Sequence, residues 1–318
     1  MKDIGFLSIV GAVVPVFAIM LAGFTLRRLN WLTEEADQSL LRVSINLLVP
    51  ALIFESVLGN PALQQPDNLI WPPLVGMATV VIGILMARLV VPVVRLGKPA
   101  EQRTFALATG LHNYGYVPIP LCLLLFDDRT TGVLFVHIVG VELMLWTLGV
   151  AVVSGAGMAG SWRKVINAPF IAIVVTVMLN QTGAHSHVPG LVKTTAHLLG
   201  QCAIPLALLL IGAIVADHFG ELHGRGAFQV FALGAVVRLG LLPLIFLLLA
   251  KGLPVSLELK RVIVLEAAMP SAVFPIILSR HYGGDPPTAL RVVLGTQLVG
   301  LVTIPLWIRF GGHWMGLW

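Results

Sequence analysis

Charge is what this sequence has least of. Only 11% of its 318 residues are Asp, Glu, Lys or Arg, whereas a soluble domain carries about 25%. So few charges cannot cover a soluble globule of this size, which excludes a soluble enzyme. They equally exclude a disordered chain, because 57% of the residues are hydrophobic. The surplus of basic residues, 20 Lys and Arg against 15 Asp and Glu, forms no stripe and makes no nucleic-acid surface. Cysteine is nearly absent. Cys122 and Cys202 both sit in apolar runs, which leaves no disulfide framework and no cysteine metal site. Short strands of alternating polarity are missing too, and a membrane β-barrel would need them. Gly155, Gly157 and Gly160 match the spacing of a dinucleotide fingerprint. No strand precedes them and no acidic residue follows about 20 positions on, so they read as a flexible linker. His185 and His187 have no further ligands near them, and no metal or cofactor is expected.

What the chain does have is long apolar runs, with a mean hydropathy of +0.94. A membrane helix needs about 20 mostly apolar residues. Ten stretches qualify, at 5–26, 39–58, 72–94, 103–125, 131–153, 168–184, 190–216, 227–249, 259–280 and 289–309. The fold class is therefore an all-α integral membrane protein in a lipid bilayer. The first stretch follows Lys2 but ends in Arg27-Arg28 without a small-residue cleavage site, so it reads as a mature span and not a signal peptide. Arg27, Arg28, Arg95, Lys98, Arg103, Arg163 and Lys164 follow spans 1, 3 and 5. The positive-inside rule then puts the 154–167 loop in the cytoplasm and both termini outside. Lys251, Lys260 and Arg261 in the second half oppose this assignment; the stronger asymmetry of the first half decides it. Trp307, Trp314 and Trp318 fit an interfacial belt.

The prolines suggest an internal repeat. Asn46 precedes Pro50 by four residues, and Gln201 precedes Pro205 by four, 155 residues later. Pro15 and Pro169, Arg88-Pro92 and Arg238-Pro243, and Pro118 and Pro275 recur at nearly the same offset. A unit of five spans is odd, so its second copy enters the bilayer from the opposite side. Such inverted repeats are a recurring transporter architecture. The divisions are 1–153, a linker at 154–167, and 168–318.

Spans 4 and 9 carry the strongest helix-breaking signals. The first reads His112-Asn113-Tyr114-Gly115-Tyr116-Val117-Pro118-Ile119-Pro120, the second Glu266-Ala267-Ala268-Met269-Pro270-Ser271-Ala272-Val273-Phe274-Pro275. Each proline removes a donor and clashes with the preceding turn. Broken backbone at membrane depth must face protein or a wet cavity. Half-helices starting after the breaks would present free N–H groups and positive dipole ends to an anion. Asn113 and Ser271 can add side-chain hydrogen bonds. The candidate substrate-binding residues are Asn113, Tyr114, Gly115, Pro118, Met269, Pro270, Ser271 and Pro275, joined by Asn46 and Gln201 on spans 2 and 7. His137, Glu142, Glu266 and His112 are ionisable groups inside spans, where charge is expensive and usually functional; they are candidates for proton coupling. Arg88 and Arg238 are expected to snorkel to the surface, with pairing to a carboxylate inside the protein as the alternative.

Asn46 to Phe54, Asn113 to Pro120, and Met269 to Pro275 with His281-Tyr282-Gly283-Gly284-Asp285 resemble the auxin efflux carrier family, whose bacterial members include malonate and malate carriers. The likeness covers essentially the whole chain. It implies two inverted five-helix repeats, a crossover of helices 4 and 9, a scaffold of helices 1, 2, 6 and 7, and a moving bundle of helices 3–5 and 8–10. It also implies transport of small organic anions by alternating access, in the bacterial inner membrane, with a proton or sodium ion as coupling partner and a homodimer through the scaffold helices. Bacterial relatives often carry a small residue where this chain has Asn113. The competing readings are a non-transporting membrane sensor on the same scaffold and an integral membrane enzyme. The sequence offers the enzyme no nucleophile–base set and no HExxH.

Overall fold

The computed structural model describes residues 5–155, 161–222 and 227–317; Lys2, residues 156–160 of the glycine-rich linker and Trp318 lie outside them. Every extended regular element among the described residues is helical. In chain order, α1 is Phe6–Arg28, α2 Glu34–Val57 and α3 Asp67–Val94. Then come α4 at Pro99–Gly110, α5 at Pro118–Leu125 and α6 at Asp128–Ser154. The second half holds α7 at Ala168–Gln181, α8 at Gly190–His218 and α9 at Ala227–Gly252. It ends with α10 at Leu257–Ala267, α11 at Phe274–His281 and α12 at Pro286–Met315. Seven of these, α1, α2, α3, α6, α8, α9 and α12, are long and apolar enough to cross a bilayer. α7 is apolar but only 14 residues long. The predicted stretches 103–125 and 259–280 each divide into two half-helices, α4 with α5 and α10 with α11.

Local chemistry sets these boundaries. Asp127, Asn167, Ser256 and Asp285 each accept a backbone N–H in the first turn of α6, α7, α10 and α12, which satisfies donors a helix start leaves free. Prolines open α4, α5 and α12, where a missing N–H costs nothing. Single π turns interrupt α2 at Ser44–Leu48 and α9 at Val237–Leu241. Each of these stands close before a proline, Pro50 or Pro243, and its wider turn accommodates the ring; a third π turn, Leu145–Gly149 in α6, precedes no proline. Pro205 and Pro92, at the matching places in α8 and α3, lie in uninterrupted helix.

Most close helix pairs fall into two sets, which the packing of α1 on α12 joins. In one, α1 runs along α8, α8 along α2, and α2 against α7. In the other, α3 packs on α4 and α6, α9 on α10 and α12, α12 on α4, and α10 on α6. Lipid offers helices no hydrophobic drive to associate, so close van der Waals approach matters more than in water. α1 and α8 approach until Gly23 meets the backbone of Leu209 and Gly212 meets that of Met20; a methyl group at either would collide with a carbonyl. Outward faces are apolar: Leu7, Leu89, Leu191 and Phe228 are exposed, as expected of side chains that meet lipid.

Several polar ties stand at helix ends. Buried Arg27 pairs with Asp37 at 2.5 Å and Asp217 at 3.3 Å, joining α1, α2 and α8. Asn180 accepts from Gly59 N–H and donates to Val57 C=O, both at 2.6 Å, fastening α7 to the end of α2. The two repeat-related arginines part company: Arg88 is exposed, while Arg238 is fully buried and does not snorkel. Trp307 donates to the Leu239 carbonyl at 2.5 Å and so ties α12 to α9 instead of simply marking an interface.

Candidate functional site

The two helix breaks meet. Between α4 and α5 the chain leaves the helix at residues 111–117, and between α10 and α11 at residues 268–273. His112 and Ser271 form a single antiparallel bridge. Asn113 N–H donates to Pro270 C=O at 2.7 Å, and Ala272 N–H to Leu111 C=O at 3.0 Å. Part of the backbone freed by the prolines is thus satisfied by the other break, and not left for a ligand. These bonds lie within the breaks and leave the starts of α5 and α11, at Pro118 and Phe274, as separate donors. The cost of unpaired backbone in an apolar interior explains the pairing.

Asn113 completes the turn into α5. Its Oδ1 accepts from Gly115 N–H at 3.4 Å and Val117 N–H at 3.3 Å. Its Nδ2 has no partner although the residue is buried. A cavity of about 250 Å³ lies against this residue. Asn113, Tyr114, Gly115 and Tyr116 line it from one break, and Ala272, Val273 and Phe274 from the other. The walls are mainly apolar: Ile45, Val49, Leu52 and Ile53 come from α2, Phe170 and Ile173 from α7, Ala203 and Ile204 from α8, and Phe135, Ile138 and Val139 from α6. The cavity therefore lies between the two packed groups of helices. It extends to Lys164 and Asn167, beside the start of α7.

Of the residues singled out from sequence, Asn113, Tyr114, Gly115 and Glu142 line this cavity. Pro118 and Pro275 lie in the first turns of α5 and α11, buried. Met269, Pro270 and Ser271 are buried at the crossing itself, away from the cavity lining. Ser271 N–H donates to Thr296 Oγ1 at 3.0 Å, while its own hydroxyl is unpartnered. Asn46 and Gln201 are exposed. Asn46 bonds to the Arg42 carbonyl, and Gln201 to His197, which in turn meets Glu55; neither faces the cavity.

The ionisable candidates fall into two places. Glu142 stands in the cavity with both oxygens occupied, Oε1 by Tyr114 OH at 2.8 Å and Oε2 by Trp146 Nε1 at 2.7 Å. His112, His137 and Glu266 lie behind the crossing, fully buried. His112 Nε2 is 3.3 Å from Glu266 Oε2, and its ring centroid is 6.2 Å from that of His137. Arg238 joins them and donates to the carbonyl of Ala267, at the end of α10. A cation at a helix C-terminus offsets the negative dipole end. Sequence reading found every member of this cluster but could not bring them together.

Lys164, Trp146 and Phe274 were missed as site residues. Lys164 is the cavity's one cationic side chain among the described residues. In sequence it reads only as a positive loop residue. Phe274 stacks on Tyr114 and meets Trp146 edge-on. The only available signal was the run of aromatics flanking both breaks.

Comparison with known proteins agrees in kind. A family model described as a membrane transport protein matches residues 8–161 and 159–308. An uncharacterized transporter of Methanothermobacter thermautotrophicus is 27% identical, over 95% of this chain and 98% of its own. One from Methanocaldococcus jannaschii is 23% identical over 93% and 96%. The uncharacterized transporter YfdV of Escherichia coli K12 is 22% identical over 94% and 96%.

Proposed function

Since this chain belongs to the auxin efflux carrier family of membrane transport proteins, we propose that it carries small organic anions, carboxylates above all, as a secondary transporter. The observation that carries this reading is the cavity between the two helix groups, closed at one end by the crossed breaks and offering the unpartnered Asn113 amide. A carboxylate accepting from Nδ2 would satisfy that donor, and the start of α5 would favour its charge. The mostly apolar walls suit the carbon body of a small acid.

The same placement supports alternating access. A cavity walled by both groups changes its exposure when one group rocks against the other. We take α1, α2, α7 and α8 as the scaffold and the remaining helices as the moving bundle. Counting α7 and each pair of half-helices as one crossing, with the seven long helices, gives ten crossings in two inverted halves. The location is then the inner membrane with both termini outside. The buried His112–Glu266 pair is the place where a coupling proton would be held, since a lone charge at that depth is costly.

The test is Asn113→Ala in purified protein, titrated with a panel of mono- and dicarboxylates. Loss of a hydrogen bond to a charged group costs about 1.5–3 kcal/mol, a drop of roughly ten- to a hundredfold in affinity. Melting temperature should fall modestly as well, because Oδ1 accepts from the N–H groups of Gly115 and Val117 in the turn that leads into α5. Wild-type affinity in Asn113→Ala would remove the amide from the site. A wild-type protein that binds no acid of the panel would sink the anion reading.

A further inference from the structure

The geometry points to Lys164 as the residue that recognises the substrate's negative charge at the cavity mouth, held ready by an aromatic clamp of Trp146 and Tyr282. This rests on the anion-transport reading above and deepens it.

Three observations meet at this side chain. Lys164 lies on the helical turn Ser161–Val165 and is followed by buried Val165 and by Asn167, whose side chain caps α7 at Phe170 N–H. Its ammonium is 5.5 Å from the centre of the Trp146 ring and 4.8 Å from that of Tyr282, and it donates to the Tyr282 hydroxyl. Among the described residues it meets no carboxylate within 4.0 Å. The nearby candidate, Glu142, has both oxygens taken by Tyr114 and Trp146. So the cavity contains one carboxylate already satisfied by donors and one cation held by rings and a hydroxyl. Rings attract an ammonium without neutralising it. The charge of Lys164 is thus left for an incoming anion.

The clamp also leads inward. Trp146 is oriented by Glu142 and meets Phe274, Phe274 stacks on Tyr114, and Tyr114 adjoins Asn113. An anion would first meet the clamped cation at the rim and then the unpartnered amide at the crossing. Lys164 would exchange the Tyr282 hydroxyl for a carboxylate oxygen. Because the ammonium is exposed, its attraction is screened by salt, and its effect belongs mainly to encounter and to charge discrimination.

The experiment uses the full-length purified protein. Malonate, benzoate and phenylacetate are titrated first, and the tightest of them is then compared with its neutral amide. Lys164→Gln should weaken the acid about tenfold and leave the amide unchanged, Lys164→Arg should restore most of the loss, and Tyr282→Phe should not abolish binding. Wild-type affinity should fall as ionic strength rises, and Lys164→Gln should flatten that dependence. If the amide is too weak to measure, the salt dependence decides. Acid affinity equal to wild type in Lys164→Gln overturns the proposal, as does an equal loss for acid and amide, which would mark packing. Asn113→Ala runs alongside: if it weakens the acid while Lys164→Gln does not, only the role of Lys164 falls. If the wild type binds no acid, the transport reading falls first.

Discussion

At the scale of single residues, the buried cluster behind the crossing makes the sharpest demand. His112, His137, Glu266 and Arg238 are fully buried, and His112 and Glu266 face each other across 3.3 Å. Charge at such depth is tolerated when paired and is usually functional. Glu142 differs, because Tyr114 and Trp146 donate to both its oxygens. In proteoliposomes, Glu266→Gln and His112→Gln should lose uptake driven by a pH gradient while exchange of internal for external substrate persists. Glu142→Gln should keep gradient-driven uptake and lose affinity, through the freed Trp146. Unchanged gradient dependence in both Glu266→Gln and His112→Gln would take the cluster out of coupling. The sequence announced these residues because ionisable side chains are conspicuous in apolar runs. It could not announce Lys164, which stands among other loop charges and gains its meaning from rings 18 and 118 positions away.

Helices explain why the breaks were readable. Gly115 before Pro118 and Pro120, and Pro270 before Pro275, concentrate helix-breaking residues where a new helix can start, and the structure interrupts both spans just ahead of Pro118 and Pro275, although it carries Pro72, Pro73 and Pro92 inside α3. Repeat spacing was a weaker guide to local shape: Pro50 follows a π turn and Pro205 does not. Asn46 and Gln201, chosen for their place before those prolines, consequently face away from the cavity. The start of α6 supplies a test at this scale. Asp127 accepts from Thr130 N–H at 3.0 Å and Thr130 Oγ1 at 2.7 Å, and pairs with Arg261 of α10 at 3.0 Å. Partial burial alone would raise its carboxyl, but the Thr130 bonds and the Arg261 charge together hold it below the usual carboxylate value. A lowered folded value means stabilisation that is complete above the unfolded value and lost as pH falls through the folded one. Asp127→Ala should lower stability by about 1 kcal/mol at neutral pH, as loss of a helix cap does. Melting curves of variant and wild type should converge at acid pH. A constant gap down to pH 3 would show that the carboxylate is not the stabilising group.

For the molecule as a whole, the all-helical membrane character was legible from scarcity of charge and length of apolar runs, while its orientation was read from loops alone. Three basic residues opposed that orientation, and the structure gives two of them other work. Lys251 lies 4.9 Å from the centre of the Trp314 ring, and Arg261 pairs with Asp127. Arg27 and Lys164 of the first half are engaged in the same way, so contacts do not separate the halves and the orientation rests on the larger number of basic residues in the first half's loops. The resulting topology turns on α7, which has only 14 residues and is the weakest of the proposed crossings. If α7 crosses and each broken pair counts once, five crossings separate position 161 from position 313, and the two lie on opposite sides. With Cys122 and exposed Cys202 replaced, single cysteines are placed by Ser161→Cys and His313→Cys and treated in intact cells with an impermeant thiol reagent. His313 is chosen because it is exposed near the end of α12, where its neighbour Gly312 is buried. The cysteine at 313 should be labelled at once and the cysteine at 161 only after permeabilisation. The reverse pattern would invert the protein in the membrane while leaving the ten crossings intact. Labelling of both from one side would mean that α7 or a broken pair does not traverse the bilayer, and the inverted repeat would fall with it.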